Sequence, residues 1–250
     1  MKISEIKSEF ESADLDSLSQ VMDSFRNDER AGVQKLIAQF EKKKEAYEKE
    51  LKRLEVMRQF EEEYKESPYI CGIDEVGRGP LCGPVVASAV ILPKDAKILY
   101  INDSKQLSQK KREALFPEIM QKAVAVGTGI VSPQEIDELN ILQATYKAMR
   151  MAISSLPVKP TLLLNDAVTI PEVDIPQVKI IKGDAKSMSI AAASIIAKVT
   201  RDRMMVEYDK VFPQYGLAKN KGYGSKEHIE ALRKYGPCPI HRKTFITHFV

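Results

Sequence analysis

From residue 33 to residue 67 the chain contains neither proline nor glycine, and its apolar residues recur every three or four positions. Val33, Leu36, Ile37, Phe40, Tyr47, Leu51, Leu54, Met57 and Phe60 make one stripe. That period belongs to an amphipathic helix. Unbroken to about Tyr64, it would be roughly 45 Å long at 1.5 Å per residue. Two shorter stripes precede it: Ile3, Ile6 and Phe10, then Leu15, Leu18, Val21, Met22 and Phe25. Residues 1–67 are therefore expected to be a helical N-terminal extension. Ser67-Pro68 ends it, because the residue before a proline is pushed out of the helical region.

Beyond Pro68 the pattern changes. Short apolar or β-branched runs at 69–74, 84–92, 123–131, 161–166 and 177–184 read as strands. Helical segments alternate with them: one around Pro117, a long one from Ser132-Pro133 to about Ser154, one capped by Ser187 and running to about Asp209, and a last one near 225–234. Ser-Pro with Glu135 three residues after Ser132 is an N-terminal capping signal. Strands alternating with helices predict an α/β or mixed sheet over residues 68–250.

Composition removes several classes. No run of about 20 apolar residues exists, so no transmembrane helix is expected. The N-terminus is acidic and lacks the apolar stretch of a secretory signal. Cys71, Cys82 and Cys238 are too few and too scattered for a disulfide framework, and no CxxC pattern suggests zinc. A cytoplasmic protein is expected. Residues 1–67 hold 13 Lys and Arg against 17 Asp and Glu, whereas residues 68–250 hold 25 against 18. The second part is thus basic, which suits a polyanionic partner.

The acids of that basic part are unusually placed. Asp74, Glu75, Asp166 and Asp184 lie at or just past the ends of apolar strands, where functional side chains emerge from open sheets. Any one of them alone reads as a solvated or capping residue. Four carboxylates converging from different strands would repel one another, and a divalent cation resolves that repulsion. Oxygen ligands select Mg²⁺ or Mn²⁺ over zinc. Beside the first pair, Gly77 and Gly79 bracket Arg78, and glycines let the backbone approach a small ligand group closely. The loop is neither a P-loop nor a dinucleotide fingerprint.

At these residues the chain becomes recognisable. GIDEVGRGPLCGPVVASAV, NDSKQLS, LLLND, KGDAKSMSIAAASIIAKVTRD, KGYGS and YGPCPIHRKTF occur in order over about 70–245. Together they resemble bacterial type 2 ribonuclease H, the ribonuclease HII family. The resemblance implies a ribonuclease H-like fold, a mixed five-stranded sheet flanked by helices with a helical C-terminal segment. It implies cleavage of the RNA strand of RNA/DNA hybrids, and cutting 5′ of single ribonucleotides in duplex DNA, leaving 3′-hydroxyl and 5′-phosphate. Such an activity serves ribonucleotide excision in DNA repair and primer removal in replication.

The family's acids map onto Asp74, Glu75, Asp166 and Asp184. Its loop for the junction 2′-hydroxyl maps onto Gly77, Arg78 and Gly79. Its tyrosine, which stacks on the next sugar and favours deoxyribose there, maps onto Tyr223. Ser104 and Lys105 match a motif near the phosphates. Lys186, His228, His241 and Arg242 are weaker candidates for contact with the nucleic-acid backbone, and Asp202 reads as structural. Asn165 stands where the family usually has an aliphatic residue; it could hydrogen-bond near the metal or face outward. GRG rather than a GTG-like loop, and a helical N-terminal part, favour type 2 over type 3.

The expected chemistry is hydrolysis with two Mg²⁺ or Mn²⁺ ions roughly 3.5–4 Å apart across the scissile phosphate. The duplex would be held by shape and phosphate contacts with little base readout. The chain is expected to act as a monomer without a membrane. Residues 1–67 are read as an auxiliary substrate- or partner-binding part, or as a helix set that only packs or stays solvated. The alternatives are a type 3-like enzyme needing longer RNA tracts, a nuclease of the same broad fold that cuts all-DNA substrates, and a non-catalytic hybrid-binding module.

Overall fold

The computed structural model describes residues 1–14 and 17–250; Leu15, one of the expected stripe residues, lies outside them. Two compact units are present, Met1–Glu55 and Val56–Val250. In the first, α1 (Ile3–Ser12), α2 (Leu18–Ser24) and most of α3 (Ala31–Met57) enclose a small core. Ile6, Phe10, Leu18, Met22, Val33, Ile37 and Phe40 fill it. The Phe10 ring meets Phe25 and Phe40 edge-on at centroid distances of 5.8 and 5.2 Å, the geometry aromatic quadrupoles favour.

The long helix expected to reach Tyr64 breaks at Arg58 (φ −98°, ψ 3°), and α4 (Gln59–Glu63) comes after it. No proline or glycine marks the break in sequence. It is made by tertiary contacts within the second unit. Phe60 and Tyr64 pack against Ile70, Leu162, Leu164, Ile180 and Ile190, so residues 56–67 belong by packing with the sheet of the second unit. The compact units therefore divide earlier than the expected boundary at Pro68.

The second unit is built on a five-stranded sheet in the order β3-β2-β1-β4-β5. The strands are β1 (Ile70–Val76), β2 (Val85–Ile91), β3 (Ala125–Val131), β4 (Leu162–Asp166) and β5 (Gln177–Ile180). β1 pairs antiparallel with β2 and parallel with β4, with Ile73 opposite Asn165. β2–β3 is antiparallel and β4–β5 parallel, so the sheet is mixed.

α5 (Gln109–Lys122) keeps Pro117 inside it. The long helix expected from Ser132 is two, α6 (Pro133–Leu139) and α7 (Ile141–Ser154). Asn140 separates them at φ +70°, and its side chain accepts from the N–H groups of Leu142 and Gln143. A short amide side chain that tolerates positive φ and caps a new helix does what glycine or proline otherwise would. α7 lays Ala144, Ala148, Met149 and Ala152 on one face of the sheet.

α8 (Met188–Val211) covers the other face. Residues 188–197 are only Met, Ser, Ile and Ala and are all buried, which marks a helix enclosed on every side at that end. It sits so close that a Cβ on Gly72 would lie 2.1 Å from the Ser189 carbonyl carbon. α9 (Leu217–Asn220), α10 (Lys226–Tyr235) and α11 (Lys243–Ile246) complete the C-terminal part. Among the described residues no helix is long and apolar enough to cross a membrane.

Candidate active site

β1 and β4 run parallel side by side, so their C-terminal ends deliver Asp74, Glu75 and Asp166 to one edge of the sheet. Asp184 arrives from the short 3₁₀ turn Gly183–Ala185 that leads into α8, not from β5 itself. The turn is tied to β4, because the Gly183 N–H donates to Asp166 Oδ1 at 2.7 Å. Asp74 and Asp184 are buried, and Glu75 is half-buried.

These groups act on one another electrostatically. Burial, then Glu75 and Asp166, push Asp74 well above the ordinary aspartate range. Burial raises Glu75, with Asp166 adding to the shift and Arg78 opposing it. Burial, with Asp103 and Asp166, lifts Asp184 to about 6, while Lys105 opposes. Lys105 Nζ is 3.9 Å from Asp184 Oδ2, and Arg78 Nη1 is 3.2 Å from Glu75 Oε1. Several carboxylates held together at the cost of their own ionisation are short of positive charge. Their all-oxygen donor set fits a hard divalent cation. Asp74, Glu75, Asp166 and Asp184 are the residues that could hold it.

The adjoining loop places Arg78 and Gly79 at the surface while Gly77 is buried at φ +91°. Tyr223 is 47% exposed, so its ring is not a core residue. A Cβ on Gly79 would lie 3.9 Å from Tyr223 Cε1, so loop and ring form one continuous surface. Lys105 is exposed, but Ser104, expected near the phosphates, has a different place. It is 3% exposed, and its hydroxyl accepts from Ser194 at 2.8 Å.

Of the weaker candidates, only Lys186 is exposed. His228, His241 and Arg242 are buried and cannot meet a nucleic-acid backbone. His228 Nδ1 lies 2.9 Å from the Tyr223 carbonyl, and the Cys238 N–H donates to His241 Nδ1 at 3.0 Å. The network therefore assigns the remaining proton to His241 Nε2, which donates to His228 Nε2 at 3.1 Å. Burial and the neighbouring His228 push His241 down to about 4. With Cys82 these rings form a cluster of metal-ligand type, yet the neutral pair is already fully hydrogen-bonded, and its evident role is to hold the Tyr223 loop.

Asp202 pairs with Lys198 at 2.8 Å and Arg112 at 3.8 Å, in keeping with a structural role. Asn165 neither faces outward nor reaches the acids; it is buried and donates to Gln177 Oε1 at 2.8 Å. Two contributors escaped the sequence reading. Asp103 adds negative charge beside Asp184; its one signal is its place immediately before Ser104-Lys105. Glu61 accepts from the Ser187 hydroxyl (2.6 Å) and from the Ser189 N–H (3.0 Å) and hydroxyl (2.7 Å), at the start of α8 just after Asp184. Nothing in sequence distinguishes it from its neighbours Glu62 and Glu63.

A mixed sheet in this order, with acids gathered at the ends of its central strands and a helix on each face, defines a ribonuclease H-like nuclease. Comparison narrows the class. Residues 71–248 match the family model described as Ribonuclease HII, and residues 2–65 match that of the Ribonuclease HII N-terminal domain. Ribonuclease HII of Lachnoclostridium phytofermentans is 63% identical over 246 residues, 98% of this chain and 97% of that one. The Enterococcus faecalis protein is 56% identical over 232 residues, covering 92% and 91%. The crystal structure of ribonuclease H2 from Pyrococcus horikoshii superposes with a TM-score of 0.61 at 30% identity, covering 70% of this chain and 93% of that one. The chain belongs to the ribonuclease HII family and is a ribonuclease H, an endonuclease type of hydrolase.

Proposed function

We propose that the chain cuts the RNA strand of RNA/DNA hybrids and also cuts 5′ of a single ribonucleotide in duplex DNA, leaving 3′-hydroxyl and 5′-phosphate. Ribonucleotide excision and primer removal in the cytoplasm are the roles this serves, and a monomer suffices for it. The observation that carries the reading is the meeting of four mutually repelling carboxylates with the exposed Arg78–Gly79 backbone and the exposed Tyr223 ring.

Asp74, Glu75, Asp166 and Asp184 would hold two Mg²⁺ or Mn²⁺ ions. Bound there, such ions polarise a phosphoryl oxygen and make water a nucleophile near neutral pH. The chain's own residues do the rest. Lys105, on the turn capped by Asp103, sets a cation beside Asp184 and the phosphate. Backbone donors of Arg78 and Gly79 meet the 2′-hydroxyl of the ribonucleotide. The Tyr223 ring stacks on the following sugar, where a 2′-hydroxyl would crowd it. The basic surface holds phosphates, so affinity falls steeply with salt.

The test uses a duplex with one ribonucleotide, an all-DNA duplex and a duplex with four consecutive ribonucleotides, each with Mg²⁺ and with EDTA. Metal-dependent cutting 5′ of the single ribonucleotide, with all-DNA intact, is expected. Cutting of the four-ribonucleotide substrate alone would replace this reading with a type 3-like specificity. No cutting at all would leave a binding module.

A further inference from the structure

The Arg242 guanidinium is completely buried. No carboxylate lies within ion-pair distance of it among the described residues. Its partners are backbone carbonyls. Nη2 donates to Gly77 O at 2.5 Å, Nη1 to Arg78 O at 2.8 Å, and Nε and Nη2 to Gly83 O at 3.0 and 2.8 Å. Gly77 (φ +91°) and Gly83 (φ +82°) are the two ends of one loop, both in the left-handed region. The guanidinium thus closes the loop from beneath, with the Phe245 ring 5.0 Å away against it.

Arg242 is itself fixed: its N–H donates to Leu81 O at 2.9 Å, and Cys82 and His241 form a β-bridge. A second buried arginine extends the arrangement. Arg201 donates to Pro84 O (2.9 Å), Cys82 O (3.1 Å) and Lys221 O (2.8 Å), joining the far end of the loop to the segment that carries Tyr223.

Two cations buried close together are costly, and Asp137 near Arg242 and Asp202 near Arg201 offset this only in part, with neither carboxylate at ion-pair distance. Burial and Arg201 together push Arg242 down to about 9. If the site needed only volume, an apolar side chain would fill it more cheaply. What a guanidinium adds is a rigid fork of donors that turns several carbonyls toward itself at once. In a trans peptide unit the N–H points opposite to the C=O. Drawing Gly77 O and Arg78 O inward therefore turns the N–H groups of Arg78 and Gly79 outward. Both residues are exposed, and neither N–H meets a protein acceptor among the described residues.

We propose that Arg242 is a positioning residue for ribonucleotide recognition: it holds the Gly77–Gly83 loop so that the Arg78 and Gly79 N–H groups face the 2′-hydroxyl as a fixed pair. The proposal rests on the proposed role of this loop in meeting that hydroxyl. Arg242 touches no substrate; it acts through the two peptide units.

Arg242→Lys keeps the charge but not the fork, and cannot reach the three carbonyls together. In the full chain, three quantities are measured: the melting temperature, the Kd for an all-DNA duplex, and kcat/KM on the duplex with one ribonucleotide. A melting temperature several degrees below wild type with the fold kept at the assay temperature, all-DNA affinity within about twofold, and a roughly 10- to 100-fold fall in kcat/KM are expected, at about tenfold for each misdirected donor. Unchanged cleavage overturns the proposal. So does a fall in all-DNA affinity that matches the fall in cleavage, because the residue would then hold the whole surface rather than the ribonucleotide contact.

Should the variant not fold, ¹⁵N-labelled wild type decides. The Arg78 and Gly79 amide resonances move on adding the ribonucleotide-containing duplex and not on adding the all-DNA one; silence of both overturns the proposal. If wild type itself does not cut the single-ribonucleotide duplex, it is the reading of the site that has failed.

Discussion

Replacing Glu61 by alanine tests whether the segment before the sheet is part of the catalytic unit. Glu61 Oε1 accepts three hydrogen bonds at the start of α8. The substitution leaves the two hydroxyls with each other, since Ser187 Oγ and Ser189 Oγ are already 3.1 Å apart. The Ser189 N–H, however, is buried and loses a charged acceptor. A hydrogen bond to a charged group contributes about 1.5–3 kcal/mol. A carboxylate at a helix N-terminus adds some tenths more. Against this, Glu61 Oε2 is buried without a partner, and its removal recovers part of the loss.

The net expectation is a destabilisation of about 2 kcal/mol, or roughly 4–8 °C in melting temperature for a chain of this size. Because Gly183–Ala185 leads directly into α8, the fraying also loosens Asp184, and Mg²⁺ affinity measured by calorimetry falls with it. Glu61→Gln keeps an acceptor oxygen and stays within about 1 kcal/mol of wild type. A melting temperature for Glu61→Ala within about 1 °C of wild type would refute the capping role.

Asp74→Asn should abolish cleavage while hybrid affinity stays within a few-fold; wild-type turnover in that variant ends the assignment. Tyr223→Ala should lower cleavage at the ribonucleotide junction with little change in melting temperature, since the ring is exposed, and an unchanged rate removes its stacking role. In EDTA, Asp184→Asn should melt higher than wild type at pH 7.5, and the gap should shrink as pH falls below about 6 and close near the ordinary aspartate value of 3.8. The cost to native stability begins above the unfolded-state value, where only the unfolded chain ionises Asp184, and is complete above the folded-state value, so a gap independent of pH contradicts the shift. The His228–His241 pair acts with the opposite sign: its stabilisation is present above about pH 6.5 and is lost toward pH 4. The protection factors of the α10 amides, each taken against the intrinsic exchange rate at the same pH, should therefore fall on acidification, and equal protection at pH 7 and pH 5 would count against it.

The sequence alone settled the elements whose signals are local. The strands are legible as β-branched runs, and α8 starts at Ser187, whose hydroxyl accepts from the Ile190 N–H. The four acids stand out because a carboxylate against an apolar run is costly without a function. Where short-range signals were weak, the tertiary structure decided. The helix break at Arg58 has no local cause; it comes from Phe60 and Tyr64 burying themselves on the sheet. Asn140 ends one helix and caps the next through a positive φ that many residue types disfavour but its own type tolerates.

Among the site residues the division is the same. Asp74, Glu75, Asp166 and Asp184 could be named from their places in the chain, but their mutual repulsion exists only once β1, β4 and the Gly183–Ala185 turn are adjacent. Ser104 and Lys105 are neighbours in sequence, yet one is buried against Ser194 and the other reaches Asp184. Arg242 read as a weaker candidate for contact with the nucleic-acid backbone and is a buried staple. A side chain's type states what it can bond, but burial and the groups brought to it from 77–83 decide what it does bond, and those come from contacts more than 150 residues apart along the chain.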